Sequence, residues 1–250
     1  MAIKIYTEKD FEGLRKAGKL AREVLDFIEP YVEVGVSTLY LNDLCHNFIV
    51  EHGAIPAPLN YEGFPKSTCI SVNHVVCHGI PSANKILKSG DILNIDITVI
   101  LDGYYGDTSR MYFAGKPSIE AKRLCDVTKE ALNIGIQQAK PGNTIGDIGY
   151  AIEQYVKPFH YSLVRDFCGH GTGKIFHDEP NVPHFGRRGE GPVIKEGMVF
   201  TIEPMVNVGN WQVNVSKFDG WTTTTKDKSL SAQYEHTLGI TKTGCEIFTA

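Results

Sequence analysis

The sequence predicts an α+β fold in which two similar halves close around a central antiparallel sheet. Three observations carry that prediction. Pairs of amphipathic helices precede strand-like runs, and this order occurs twice. Residues 92–113 read as two strands joined by Asp102-Gly103, a strong hairpin signal between apolar runs. Shifting the chain by 107 residues lays Gly35 on Gly142, Ser37 on Thr144, Phe48 on Tyr155, Gly90 on Gly197, Ile92 on Val199, Ile95 on Ile202 and Asp96 on Glu203. A shared offset across two helices and a strand predicts approximate twofold symmetry. The halves would cover roughly 8–113 and 115–250 of a single domain spanning 1–250.

Each element has a local reason. Thr7 with Asp10 opens a helix on which Phe11, Leu14, Ala17, Ala21, Val24, Leu25 and Ile28 recur every third or fourth position, and Pro30 ends it. Ser37 caps a second helix carrying Leu41, Leu44, Cys45, Phe48 and Ile49, stopped near Gly53. Residues 55–64 are rich in proline, glycine and aromatics, hence loop. Residues 67–79 read as extended chain turning near Asn73, which would set Cys69 and His78 facing each other across a ladder. After the hairpin, Ser118 caps a helix bearing Leu124, Val127, Ala131 and Leu132, closed by Pro141-Gly142. Thr144 with Asp147 opens the next, with Ile148, Ile152 and Tyr155. Strand-like runs at 199–206 and 234–241 follow. The repeat loses register late: the counterpart of Asp107 is Glu235, further along than the offset requires. An insertion over roughly 210–229 accounts for this.

A chain of 250 residues can bury a substantial core, and 42% hydrophobic with 22% charged residues is ordinary for a soluble globular protein. A net charge of -4 gives no electrostatic reason to expect nucleic-acid binding. The first residues are charged and lack the apolar core of a signal peptide, and no apolar run is long enough to span a membrane. The six cysteines are scattered, which fits reduced thiols in a cytoplasm better than a disulfide scaffold or a thiolate zinc site. A cytoplasmic monomer is the expectation.

The chemistry starts at the hairpin. If Leu101 pairs with Tyr104, Thr98 stands opposite Asp107 and Asp96 opposite Ser109, and all four side chains share one face. The first strand is otherwise nearly all apolar, so both carboxylates are expected to be buried. Two buried like charges cost several kcal/mol unless a proton or cation compensates them. The repeat brings Glu203 opposite Asp96, and Glu235 takes the place corresponding to Asp107. His170, flanked by Gly169 and Gly171, can be aimed closely by its unencumbered backbone. Four carboxylates and one imidazole form a hard donor set suited to Mn, Fe, Co or Zn. They exceed what one catalytic ion needs and fit two ions about 3.5–4 Å apart, bridged by an acidified water. That is hydrolytic chemistry. Taken singly, Asp107 could be a turn residue, Glu203 and Glu235 solvated strand ends, and His170 a hydrogen-bonded structural histidine. Together the coincidence is hard to assign to chance. His46, His52, His160 and His184 are assigned structural roles.

The runs Asn60-Tyr-Glu-Gly-Phe-Pro-Lys-Ser, Ser71-Val-Asn-His-Val-Val-Cys-His-Gly-Ile-Pro, Asn94-Ile-Asp-Ile-Thr, Gly106-Asp-Thr-Ser, Cys168-Gly-His-Gly, Phe200-Thr-Ile-Glu-Pro and Ser231-Ala-Gln-Tyr-Glu-His-Thr resemble type I methionine aminopeptidases over essentially the whole chain. The resemblance implies the pita-bread fold, which agrees with the repeat. It also implies that Asp96, Asp107, His170, Glu203 and Glu235 ligate two divalent metal ions. The short stretch from His170 to Glu203 leaves no room for the helical insertion of type II, and the chain is similar to the short bacterial or organellar form. The implied reaction is removal of the initiator methionine from nascent chains. By the resemblance, the substrate amine would dock on one metal and a metal-activated water would supply the nucleophile for the scissile carbonyl. Glu203 shuttles the proton, and His78 and His177 hydrogen-bond the scissile peptide group and its developing oxyanion. Family-equivalent methionine-pocket positions are Tyr61, Phe64, Cys69, Phe176 and Trp221, with Thr172 and Phe64 departing from residues common in the family. A tight neighbouring site would demand a small second residue. Asn73, Val75 and Ser231 match a monovalent-cation site of relatives, and a transient ribosome contact is expected. A proline-specific exopeptidase of the same fold is one alternative, and a non-catalytic peptide-binding module is another.

Overall fold

A computed structural model describes residues 2–250. Four α-helices occur where their caps predict them. Helix α1 is Glu8–Ile28, α2 is Thr38–Glu51, α3 is Ile119–Gln138 and α4 is Ile145–Val156. Thr7 with Asp10 and Thr144 with Asp147 close reciprocal capping boxes, while Ser37 and Ser118 accept single backbone N–H bonds. Each box satisfies donors that a helix start otherwise leaves unpaired.

The hairpin forms with the register its turn dictates. Strands Ile92–Leu101 and Tyr104–Phe113 pair from Ile92↔Phe113 to Leu101↔Tyr104, so Thr98 faces Asp107 and Asp96 faces Ser109. Asp102 and Gly103 both have positive φ, 52° and 81°, as a two-residue turn matched to strand twist requires. Helix α1 packs across this hairpin, burying Ala17, Ala21 and Val24 with Leu93, Ile95, Ile97 and Val99. Gly106 permits the close approach, because a Cβ there would run into the Ala17 carbonyl.

Two sheets flank the centre. The hairpin joins Cys69–Val72 and Ile55–Pro56 in one. The other runs Cys245–Ile247, His236–Ile240, Val199–Ile202, Gly169–Gly171, Asp178–Val182. They meet at a single bridge between Ser109 and Glu235, where the Glu235 N–H donates to the Ser109 carbonyl at 3.1 Å. Thr108 Oγ1 donates to the Glu235 carbonyl and Thr237 Oγ1 to the Asp107 carbonyl, both at 2.7 Å, and these bonds hold the seam shut. A second core, with Leu124, Ile148, Ile152, Phe200 and Ile202, lies beneath α3 and α4.

The backbone repeats the 107-residue offset. Gly35 donates to the Leu87 carbonyl as Gly142 does to that of Ile194, and Leu87 to Val36 as Ile194 does to Asn143. The bridges Ser37↔Ile86 and Thr144↔Val193 stand at the same spacing.

Two local expectations differ from the structure. Residues 69–72 and 75–77 do not pair with each other. Asn73 turns with φ of 57°, after which Cys69–Val72 joins Ile92–Leu101 and Val75–Cys77 joins Thr223–Thr225. Cys69 therefore faces Asp96 instead of His78. Ile92–Leu101 offers Cys69–Val72 a four-pair ladder, and Val75–Cys77 turns away to the edge of Thr223–Thr225 instead of closing a short hairpin. The run 199–206 is broken into Val199–Ile202 and Met205–Asn207, because Pro204 has no N–H for a ladder. The expected insertion contains the hairpin strands Val213–Val215 and Thr223–Thr225. No helix among the described residues is long and apolar enough to cross a membrane, and all six cysteines are free.

Candidate active site and metal centre

All twelve residues singled out in the sequence as ligands, catalytic groups or pocket walls line one cleft of about 570 Å³ at the seam between the sheets. The hairpin contributes Asp96 and Asp107. Thr98, two residues beyond Asp96 on the same face, donates to Asp107 Oδ1 at 2.7 Å and fixes its rotamer. Gly169–Gly171 contributes His170. Its Nδ1 lies 3.1 Å from the Gly171 carbonyl, a partner that can only accept, so Nδ1 carries the proton and Nε2 presents a lone pair. That Nε2 stands 3.6 Å from both Asp107 Oδ2 and Glu203 Oε1. Glu203 follows Val199–Ile202, and Glu235 comes from the bridge itself. Donor atoms of Asp107, His170 and Glu235 all lie within 4.8 Å of one another, a spacing that one ion could span.

Electrostatics at this cluster call for a proton or a cation. Burial, then repulsion from Asp107, pushes the Asp96 carboxyl well above its ordinary value, and burial lifts Asp107 to about 7 against the bond from Thr98. Burial followed by neighbouring carboxylates raises Glu203 and Glu235 likewise. Asp96 Oδ1 is buried without any hydrogen-bond partner, as a metal-directed oxygen would be. The donor set therefore fits a divalent ion: oxygen-rich, negatively charged and short of internal compensation.

Groups that orient the ligands were not legible in advance. Thr201 Oγ1 donates to Glu203 Oε1 at 2.8 Å and accepts the His170 N–H at 3.0 Å, linking two ligands through one hydroxyl. Gln233 Nε2 donates to Glu203 Oε2 at 3.1 Å. Thr201 and Gln233 sit on strands two residues before the acids Glu203 and Glu235, so period-two alternation was the available signal. His184, assigned a structural role, is fully buried, and its Nε2 accepts the Glu203 backbone N–H at 3.0 Å. His46 meets Ser67 Oγ and His52 the Phe48 carbonyl, away from the cleft.

Beside the acids stands an aromatic wall. Tyr61 packs on Phe176 at 4.8 Å between centroids, and Phe64 meets Trp221 edge-on at 5.3 Å. His78 stands edge-on to Trp221 at 5.9 Å. His177 Nδ1 is 2.9 Å from the Tyr61 hydroxyl, and its ring lies 4.3 Å from that of His170. Burial drives His78 below its ordinary value and His177 to about 4, so both are neutral at neutral pH. Asn73 and Ser231 meet outside the acid cluster, where the Ser231 N–H donates to the Asn73 carbonyl at 2.9 Å. Ser231 Oγ is buried with no partner, while the Asn73 side chain is taken up by Asp91 and the Ile92 N–H.

Comparison with known proteins follows the same lines. Residues 12–242 match the model of metallopeptidase family M24. The methionine aminopeptidase of Rickettsia prowazekii is 62% identical over 249 residues, covering 100% of this chain and 96% of that one. That of Escherichia coli K12 is 54% identical over 250 residues, covering 100% and 94%. The crystal structure of the Rickettsia prowazekii enzyme superposes with a TM-score of 0.98 over 100% of both chains. A prolidase from Pyrococcus furiosus, 23% identical with a TM-score of 0.79 over 98% of this chain and 65% of that one, shares the fold alone. A buried acid cluster, an aromatic wall beside it and full-length likeness converge on one conclusion: this chain belongs to the methionine aminopeptidases of metallopeptidase family M24, which are metallo-exopeptidases.

Proposed function

We propose that the protein removes the initiator methionine from nascent polypeptides whose second residue is small, using Asp96, Asp107, His170, Glu203 and Glu235 to hold two divalent ions of the Co, Mn, Fe or Zn class. Held there, such ions supply Lewis acidity toward the scissile carbonyl and a water of lowered pKa. The observation that carries this reading is the meeting, in one cleft, of a buried under-compensated acid cluster and an apolar aromatic pocket.

The residues divide the remaining work. Glu203, its two oxygens held by Thr201 and Gln233, is the carboxylate best fixed to take and return a proton. Neutral His78 and His177 hold the scissile peptide group and donate toward charge developing on its oxygen. Tyr61, Phe64, Cys69, Phe176 and Trp221 take the methionine side chain, whose soft thioether suits aromatic and sulfur contacts. The repeated backbone hydrogen bonds support one catalytic domain over 1–250, built from halves of roughly 8–113 and 115–250. A monovalent cation near Asn73, Val75 and Ser231, a cytoplasmic monomer and transient contact with ribosomes complete the proposal.

Methionine release from Met-Gly-Met by the metal-loaded protein is the direct test. Release that depends on the divalent ion and fails when a bulky residue follows methionine is expected. No metal-dependent release would overturn the assignment in favour of a non-catalytic peptide-binding module, and cleavage confined to peptides with proline would favour a proline-specific exopeptidase.

A further inference from the structure

Residues 172–177 connect Gly169–Gly171 to Asp178–Val182 without ladder pairing, yet they carry Phe176 and His177 into the cleft. A loop bearing such residues must be held from outside, and much of the hold comes from the segment before α1. The Tyr6 hydroxyl accepts the Lys174 backbone N–H at 3.1 Å, while the Tyr6 N–H is itself fixed to the Gly197 carbonyl at 2.7 Å. The Tyr6 ring fills the space beside Gly173 that any side chain there would need. At the loop's far end, Lys4 Nζ pairs with Asp178 Oδ2 at 2.9 Å; the Asp178 side chain is 6% exposed and Lys4 44%. Asp10 closes the set. One of its oxygens caps α1, and the other accepts from Lys174 Nζ at 2.6 Å and from the Tyr104 hydroxyl at 3.0 Å.

We propose that Lys4, Tyr6 and Asp10 form a clamp on residues 172–178 and act as positioning residues, setting where His177 and Phe176 stand against the bound peptide. None of the three lines the cleft, so their effect passes through the loop. Two contacts bracket it, at Lys174 and at Asp178, and His177 lies between them. The inference rests on the reading that His177 and Phe176 meet substrate.

Tyr6→Phe removes the hydroxyl and keeps the ring, and Lys4→Ala removes the ammonium; neither touches the cap of α1. Each should lower kcat/KM for Met-Gly-Met about fivefold, and both together about tenfold or more, because small misplacements of a catalytic contact are costly. Bound metal per chain should be unchanged, and Lys4→Arg should restore activity. The decisive measurement is a cycle with His177→Ala: in that background Tyr6→Phe should have little further effect on kcat, since the group it positions is gone. Full additivity would overturn the proposal, as would a fall in Tm with kcat/KM of the folded protein unaltered. If His177→Ala alone leaves turnover intact, the reading of His177 fails. The clamp is then decided by amide hydrogen exchange at residues 172–178, which must quicken in Tyr6→Phe and leaves the clamp refuted if it does not.

Discussion

The acid cluster and the aromatic pocket share one cleft but are built by different means. Asp96 and Asp107 stand on adjacent strands whose ten pairs fix every side chain, and Glu235 sits on the bridge that joins the two sheets. Tyr61 lies in a short 3-10 turn, Phe176 in an unpaired loop, and Trp221 between hairpin strands. The difference teaches where tolerance lies. Side chains that must converge on one point need sub-ångström agreement and are best set on or beside ladders, whereas a flexible apolar group can be received by loops packed ring on ring.

Breaking the locked region should have the largest effect. Asp107→Asn or His170→Ala is expected to lower kcat by about a thousandfold or more while far-UV circular dichroism stays native, since the donor set is lost and the ladders are not. Unchanged methionine release in either variant would remove that residue from the ligand set. His177→Ala or His78→Ala should cost about a hundred- to a thousandfold in kcat with metal content intact, the scale of one lost donor at a developing oxyanion. Loss of metal instead would transfer the histidine into the ligand set. On the recognition side, Phe64→Ala should raise KM several-fold and leave kcat nearer the parent, because the pocket has more than one wall. An equal fall in kcat would mean that pocket and acids are not separable.

The same contrast has a pH signature. Asp107, ordinarily near 3.8, is lifted to about 7 by burial, so the folded chain retains a proton the unfolded chain has given up. Stability of chelator-treated protein should therefore fall as pH rises from the ordinary carboxyl range through about 7, a window in which the folded state binds more protons. Adding a divalent ion should flatten that slope, which thermal unfolding across pH would read. A slope that survives metal would place its origin elsewhere than the acid cluster.

What could be read in advance tracks how local the determinant is. The Asp102-Gly103 turn fixes ten pairs by itself, so the common face of Asp96 and Asp107 follows from two residues. The caps at Thr7, Ser37, Ser118 and Thr144 are likewise local. Glu203 was reachable because the repeat transfers Asp96 onto it. The partition of strands around Asn73 was not, since it depends on competition from partners far along the chain. Nor were the bonds of Gln233 and His184 to Glu203, or the reach of Tyr6 to Lys174, since the partner met across such sequence distances leaves no local mark; for Thr201, two residues before Glu203, strand alternation marks a shared face but not the bond.

The Ser109–Glu235 bridge gives the molecule an order of events. Its two residues lie 126 positions apart in sequence, and the five proposed ligands span residues 96 to 235. During synthesis the hairpin can form early, with α1 already laid on its back, but its acids remain without their partners until residue 235 has left the ribosome. On the proposed ligand set, a chain that ends before Glu235 lacks one of its five donors, so hydrolysis would have to wait for nearly the whole fold.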